Sequence, residues 1–555
     1  MDNYQIADAL SLLAKLTDIH GENSFKAKSY SSAAFAIEKL TVQLHEMPKE
    51  KISVLNGIGV STAQKIIEYI ETGKINALED IISKTPKGII EMISIKGIGP
   101  KKINTIWKEM EIETIGELLY ACKENRLKLF KGFGEKTQQN VIDAIEFYNK
   151  SRGSYLYAQV ENIINEFNEF LSLYLKNIKF EVTGQFKRQL EIIDKIEYLI
   201  QAEPEKIVEW LSVAPGFTVI STNNTQIIYA TPAGIDLCLY PVDESEIIKK
   251  SISITSSTSF WGELANCEST NNVIEKSEQD FFENRALPYF PCFLRENESL
   301  IQEFKNKLLP DVIETSDIKG IIHSHSNWSD GSNTIEEMAE ACIKLGMEYL
   351  VISDHSKSAF YAQGLSVEKI YAQHKYIDEL NKKLHPFTIF KSIESDILND
   401  GNLDYDDHTL KQFDLVIASV HSNLKMNEEK AMMRLIKAIE NPYTRILGHM
   451  TGRLLLSRPG YPVDHQKIID ACAANDVVIE LNAHPSRLDI DWRQIEYARN
   501  KNVLISINPD AHTLEGLKDI KYGVAVAQKS MITKAQNLSS YNLMDITSWI
   551  QKKRS

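Results

Sequence analysis

About seven times in the C-terminal half of this sequence, an apolar, β-branched run closes on a side chain able to bind metal, and helix-patterned stretches lie between the runs. GIIHSHSNWSDG (320–331) delivers His323, His325 and Asp330. YLVISDH delivers Asp354 and His355, FTIFKSIESD Glu394 and Asp396, FDLVIASVH His421, and TRILGH His449. VVIELNAH ends in His484, and VLISINPDAH delivers Asp510 and His512. IEEMAEACIKLG and HQKIIDACAAND are among the helical stretches between them. Such alternation predicts a parallel sheet. Ligand-type residues at the C-terminal end of each strand predict a closed α/β barrel with its site at that mouth. Of the chain's 13 histidines, only His20 and His45 precede residue 320. His323 and His325 stand two apart, so on a regular strand they face one side and reach one metal ion. A core histidine satisfied by one hydrogen bond is the alternative reading, and it is usually single.

Residues from about 317 to 550 resemble a PHP (polymerase and histidinol phosphatase) domain through HSH, SDH, ESDI, SVHS, GHMTGR, ELNA and DAH. The resemblance implies a distorted (β/α)7 barrel holding three divalent metals, zinc, manganese or iron. It implies His323, His325, Glu394 and Asp510 around one metal, Glu394, His421 and His449 around a second with Glu394 bridging, and Asp330, His355 and His512 around the third. Imidazole and carboxylate suit these metals, and no thiolate is present to favour a soft, closed site. Close metals generate a nucleophile from water and stabilise the leaving oxygen of a phosphoester. His323, Glu394 and Asp510 are therefore the expected catalytic core, with Arg453 beside them.

A length of 555 residues allows roughly three to four domains. No apolar run approaches the length of a membrane span. MDNYQIADALSLLAKL reads as an amphipathic helix without the basic start of a signal peptide. Cys122, Cys238, Cys267, Cys292, Cys342 and Cys472 lack CxxC spacing, which predicts a reducing, cytoplasmic setting. The net charge of −14 opposes bulk attraction to nucleic acid. Within residues 1–150, however, acidic and basic side chains balance at roughly 20 each.

That N-terminal region repeats one pattern in LNGIGVSTAQKI (55–66), IKGIGPKKINTI (95–106) and FKGFGEKTQQNV (130–141). Each has an apolar residue, then Gly-x-Gly, then a helix start. The glycines, Gly57 and Gly59, Gly97 and Gly99, Gly132 and Gly134, permit a tight turn, and the following helix offers free amides to a phosphate. Dinucleotide binding fits poorly, because no strand precedes these glycines. The pattern resembles the helix-hairpin-helix, a sequence-independent grip on the DNA backbone. Together with GENSFKAKSYSSAAFAIEKL and the C-terminal barrel, the order resembles bacterial family X DNA polymerases. In that family a lysine after the first hairpin can form a Schiff base with an abasic sugar. Lys65 falls there, and a solvated helix lysine is the alternative reading.

The family's palm carries a Gly-Ser turn, an Asp-x-Asp strand and a third Asp, which bind two magnesium ions. Here the turn is TGQFKRQ, so Gln185 follows Gly184 in place of serine. EIIDKIEYLI places Lys195 and Glu197 at the Asp-x-Asp positions, and Asp236 in AGIDLCLYP matches the third. An ammonium among the ligands removes one carboxylate and repels the metals. Lys195 is expected to pair with Glu197 and Asp236, and magnesium or manganese binding at the palm is doubtful. A register placing Asp194 first leaves Ile196 at the second position. LPYFPCFLRENESLIQEFKN (287–306) reads as an extended join marked by Pro288 and Pro291.

Near the barrel mouth, Arg453 and Arg458 in GHMTGRLLLSRPG and Arg487 in NAHPSRLD offer guanidinium groups for a phosphate, or salt bridges to barrel acids. Trp328 either stacks on a base or caps the barrel. His374, His385, His408 and His465 read as surface residues, and His484 as a possible neighbour of the ligands.

The sequence thus predicts a multidomain protein. Residues 1–90 form an 8-kDa-type helical domain, 91–150 a fingers-like helical region, 151–310 an α+β nucleotidyltransferase-like palm and thumb, and 311–555 the PHP barrel. The expected function is a cytoplasmic, nucleoid-associated phosphoesterase acting on gapped, nicked or 3′-ended DNA, with no membrane role. It would be a 3′-5′ exonuclease or 3′-end processing enzyme of DNA repair. The alternatives are an active gap-filling polymerase, a small-molecule phosphatase of the histidinol-phosphate kind, and a non-catalytic DNA-binding scaffold.

Overall fold

A computed structural model describes residues 2–552 apart from 96, 124–126, 128, 129, 131, 152, 176, 177, 213, 270–274, 457 and 458. Two compact units make up the chain, Met1–Arg152 and Gly153–Ser555.

The first unit is helical. Helix α1 (Asn3–Ile19) starts from Asp2 and Gln5 in a reciprocal capping box, which satisfies amides that the first turn leaves without partners. Its apolar face joins α2 (Ser24–Glu38) in one continuous core running from Ile6 to Ile145. The three Gly-x-Gly turns share one geometry. Gly57, Gly97 and Gly132 have φ of +84°, +87° and +91°, a region where any side chain is strained. The second glycines start helices. Gly59 and Gly99 cap α3 (Val60–Thr72) and α4 (Pro100–Lys108) with extended backbone and no side-chain hydrogen bond. Gly134 precedes α5 (Glu135–Ser151) and accepts from the Gln138 amide.

The second unit opens with α6 (Tyr157–Tyr174) and a five-stranded sheet. Its strands are β1 (Phe180–Thr183), β2 (Lys195–Ile200), β3 (Thr218–Thr222), β4 (Ile227–Ala230) and β5 (Asp236–Pro241), in the order β1-β2-β5-β4-β3. Only β2 and β5 are parallel, with Lys195 opposite Asp236. The segment 287–306 is packed rather than extended. Leu287, Phe290, Leu294, Leu300 and Ile301 enter one apolar cluster. The fully buried Arg295 bonds the Phe290 carbonyl, Thr255 and Glu278.

The barrel strands are β6 (Gly320–Ser324), β7 (Tyr349–Ile352), β8 (Thr388–Asp396), β9 (Leu415–Ser419), β10 (Thr444–Leu447), β11 (Val478–Asn482) and β12 (Ile505–Asn508). They pair in sequence order, all parallel. A bridge between Ser324 and Ala511 brings the last strand back to the first. Nearly every strand residue is buried, which explains why the strands read as continuous apolar runs rather than alternating ones. Between strands, Thr334, Ser366, Asn427, Asp464 and Asp491 cap the returning helices through their side chains. At the far end, helix α10 (Leu543–Gln551) offers carbonyls to Arg445, whose guanidinium lies over Trp549.

Arg434, on α7 (Glu428–Glu440), is fully buried. It donates to the carbonyls of Ile397 and Leu398 beyond β8 and of Ser422 beyond β9. It therefore ties together the segments that follow Glu394 and His421. Arg434→Leu is expected to cost about 3 kcal/mol, because buried carbonyls lose their donors. Urea unfolding followed by tryptophan fluorescence measures this, and an unchanged midpoint would contradict the role.

Candidate metal centre

At the C-terminal mouth of the barrel, six of the seven strand ends bring nine ligand-type side chains together. Glu394 lies at the middle and is fully buried. Its carboxylate is 2.9 Å from His355 Nδ1, 2.9 Å from His449 Nε2, 3.2 Å from His421 Nε2 and 3.3 Å from His323 Nε2. Asp510 Oδ1 is 3.1 Å from His325 Nε2 and 3.5 Å from His323 Nε2. Asp330 is 3.5 Å from both His355 and His512. Three overlapping groups have ligand atoms within 4.8 Å of one another. They are His325, Asp330, His355 and His512, then His323, His325 and Asp510, then His355, Glu394 and His421.

His323 and His325 meet here by a route that the strand period does not give. The register of β6 against β7 shifts between Ile321 and Ser324, and His323 has φ of +62°. The bulge re-aims His323, while His325 lies just past the strand end. Asp510 is also left-handed, at φ +53°. Two strained non-glycine residues at one mouth mark a site held by its surroundings.

The electrostatics favour cations. Burial opposes protonation of His323, but Glu480, Asp510 and Glu394 raise its pKa well above the usual imidazole value. His421 is likewise penalised by burial yet raised to about 9 by Glu394 and Asp396. His325 goes the other way, to about 3, through burial and the neighbouring His512 and His355. Despite burial, the surrounding histidines hold Glu394 and Asp510 well below the carboxylate range. Among the described residues, His323 Nε2, His325 Nδ1, His355 Nδ1 and Glu394 Oε2 are buried and, although His323 and His355 lie close to the Glu394 carboxylate, are not aligned for a hydrogen bond. Unused lone pairs on imidazole and carboxylate fit divalent zinc, manganese or iron.

Three acids lie behind these side chains: Asp354 and Asp396, which the sequence places at strand ends, and Glu480, which it does not single out. Glu480, fully buried on β11, accepts from His323 Nδ1 at 2.6 Å and from the His449 amide at 3.0 Å. Asp396 bonds His421 Nδ1. Asp354 accepts from Ser326, Ser329 and Gln373, fixing the loop after His325. From the run VVIELNAH the sequence points to His484, but His484 is exposed, bonded to the Ser486 amide. The available signal was Glu480 itself, since a carboxylate inside a buried strand needs a partner. His374, expected at the surface, is buried edge-on to Phe413, and its pKa falls to about 4 through burial.

Arg487 lines the cleft above the cluster, with Nε 3.7 Å from Asp510. Arg453 is committed elsewhere, to Asp491 at 2.6 Å and to the carbonyls of Arg487 and Leu488. Arg458 lies outside the described residues. Trp328 packs against the barrel cluster and Tyr376.

In the five-stranded sheet, Lys195 pairs with Glu197 at 2.8 Å, and both bond the Tyr240 hydroxyl. Among the described residues no ion pair joins Lys195 to Asp236, which is exposed. Glu197 also accepts from the Gln185 amide at 3.1 Å, and a side chain at Gly184 would overlap its carboxylate. Asp194 is bonded to Gln185 and Ser154. In the first unit, a Cβ added at Gly59, Gly97, Gly99, Gly132 or Gly134 would meet nothing within 4 Å, so the backbone there is open. Lys65 lies on α3 with its ammonium 5.7 Å from the Tyr30 ring centre.

Metal uptake at the barrel mouth is expected to release protons. His421, protonated below about pH 9 when metal-free, must be neutral to ligate. Apparent affinity for Mn²⁺ or Zn²⁺ should therefore rise with pH up to that value. A pH indicator in weakly buffered solution at pH 7 measures the release, and its absence would count against ligation by His421.

Known families match three stretches. The helix-hairpin-helix domain matches residues 1–75, a SAM-like helix-hairpin-helix tandem residues 89–146, and the PHP domain residues 322–484. A probable phosphatase of Thermoanaerobacter sp. (strain X514) is 26% identical over 223 residues, 38% of this chain and 86% of its own length. One of Acetivibrio thermocellus is 28% identical over 200 residues, 34% and 78% respectively. The DNA polymerase/3′-5′ exonuclease PolX of Bacillus subtilis (strain 168) is 32% identical over 572 residues, 100% of both chains. An end-to-end match at that identity, joined to the helix-hairpin-helix and PHP matches, shows that this chain belongs to the PolX family, the family X DNA polymerases that carry a PHP domain.

Proposed function

We propose that this protein is a divalent-metal-dependent phosphoesterase that removes nucleotides or blocking groups from DNA 3′ ends. The observation that carries the reading is the convergence of His323, His325, Asp330, His355, Glu394, His421, His449, Asp510 and His512 on one barrel mouth with buried lone pairs unused. Divalent metals would be held by this set, in groups that overlap at His325 and His355, and Glu394, within reach of His323, His355, His421 and His449, would be the residue they share. Bound there, they supply an activated water and stabilise the leaving 3′ oxygen. The chain's own residues set the stage. Glu480 and Asp396 hold the Nδ1 sides of His323 and His421, so the Nε2 atoms face the centre. Arg487 holds the phosphate from the rim of the cleft. The Bacillus subtilis relative is named a DNA polymerase/3′-5′ exonuclease and matches the whole chain, whereas the Thermoanaerobacter probable phosphatase matches 38% of it. The helix-hairpin-helix turns, Gly57 to Gly134, deliver the DNA end by its backbone, which favours a nucleic-acid substrate over a small phosphate ester.

The palm, on this reading, adds nucleotides poorly or not at all. Lys195 stands where a carboxylate ligand is needed, and its ammonium is neutralised by Glu197. Glu197 in turn occupies the Gln185 amide of the glycine turn. The site thus satisfies itself without metals, which otherwise need several carboxylates.

His323→Ala is expected to abolish digestion of end-labelled DNA while leaving duplex affinity intact. Undiminished digestion by the folded variant would sink the assignment.

Primer extension with magnesium or manganese should yield little product in that same His323→Ala background, where digestion cannot mask synthesis. Robust gap filling that disappears on Asp236→Ala would show the palm to be active.

A further inference from the structure

Arg453 and Arg487 are both cationic and both near the cleft, but they are held in different ways. Arg453 directs Nη1 to Asp491 Oδ2 at 2.6 Å, Nε to the Arg487 carbonyl at 3.0 Å and Nη2 to the Leu488 carbonyl. Its guanidinium is therefore bound into the loop after β11. Arg487, on that loop, points its side chain toward Asp510. The loop is pinned further where Asp489 accepts from the Thr451 amide and hydroxyl, and where Leu455 donates to the Ser486 carbonyl.

The chain of contacts continues into the palm. Asp491 caps α8 (Trp492–Asn500) and bonds Arg493 through both carboxylate oxygens, at 3.0 and 3.1 Å. Arg493 reaches Glu191, a buried palm residue, at 3.4 Å. Palm residues Gln189, Leu190 and Glu191 border the same small cavity as Pro485 and Leu488 of the loop. From α9 (Ile520–Lys529), the buried Lys529 donates to the Arg188 carbonyl at 2.9 Å, and Arg188 pairs with Glu296. Lys521 and Tyr522 both bond Glu161 of α6.

We propose that Arg453 is a positioning residue, and that the sequence of contacts from Glu191 through Arg493 and Asp491 to Arg453 makes the palm a structural part of the barrel mouth by fixing the loop that presents Arg487 to the substrate phosphate. The proposal rests on the phosphoesterase reading of that mouth. It also gives this palm a use that requires no nucleotide addition.

The test is a double-variant cycle on the full chain. Readouts are metal content, KM and kcat for bis(p-nitrophenyl) phosphate and for end-labelled DNA, and the Kd for inorganic phosphate. Arg487→Met is expected to raise KM and the phosphate Kd about tenfold with metal content unchanged, as for a lost charge-assisted hydrogen bond. Arg453→Lys keeps a cation for Asp491 but cannot bond both carbonyls, so a rise of roughly threefold or more is expected. Glu191→Gln should act in the same direction, more weakly. The signature is non-additivity. Neither Arg453→Lys nor Glu191→Gln should add to the defect of Arg487→Met. Additive losses would mean that Arg453 touches the phosphate itself, and unchanged parameters in Arg453→Lys would remove its role. Both outcomes overturn the proposal. If Arg487→Met is silent while His323→Ala abolishes hydrolysis, the proposal falls and the phosphoesterase reading stands. If His323→Ala remains active, both fall.

Discussion

The buried carboxylate of Glu394 is the constraint on which the second unit turns. Four imidazoles lie within 3.3 Å of it, and no solvent reaches it. An isolated charge in that position would be prohibitively costly, so it must be balanced by protons on histidine or by bound cations. The barrel solves the geometric half of the problem. Seven parallel strands point their C-terminal ends at one place, and all but β11, whose Glu480 lies behind them, supply between one and three of the nine side chains. Because the strands are buried on both faces, the scaffold beneath the cluster is rigid, and the polar groups are confined to one rim.

Precision at that rim comes from a second set of acids. Glu480 and Asp396 each take one nitrogen of a histidine and leave the other to face inward. Asp354 gathers two serines and a glutamine to shape the loop between His325 and Asp330. Arg434 does comparable work from outside by holding the carbonyls beyond β8 and β9. The cost is visible in the backbone, where His323 and Asp510 sit at positive φ. Dense packing around them supplies the interactions that keep them there.

The five-stranded sheet shows the opposite electrostatic solution. Where a metal-binding palm gathers like charges and needs cations to hold them together, Lys195 brings its own positive charge. Tyr240 and the Gln185 amide complete the hydrogen bonding of Glu197. The fold of this sheet does not rest on these charged residues, because its core lies elsewhere, in Ile196, Tyr198, Ile200, Leu237 and Leu239. Its neighbour Glu191 meets Arg493 of the barrel's loop region at 3.4 Å, the contact on which the proposed positioning of Arg487 rests.

By itself the sequence determined the barrel and the mouth at which ligand-type residues gather, because buried parallel strands write themselves as apolar runs and each run here ends in His, Asp or Glu. It also determined the three Gly-x-Gly turns, whose positive φ only glycine takes without strain. Tertiary structure decided what local pattern cannot carry. The pairing of His323 with His325 depends on a bulge set by neighbouring strands, not on the strand period. Glu480 gains its meaning from His323, 157 residues away in sequence. His374 is buried because its helix (Val367–Leu384) packs it against Phe413, although its own segment reads as a polar helix. Arg453 and Arg487 are alike as sequence, and only the carbonyls around one and the open cleft beside the other tell them apart.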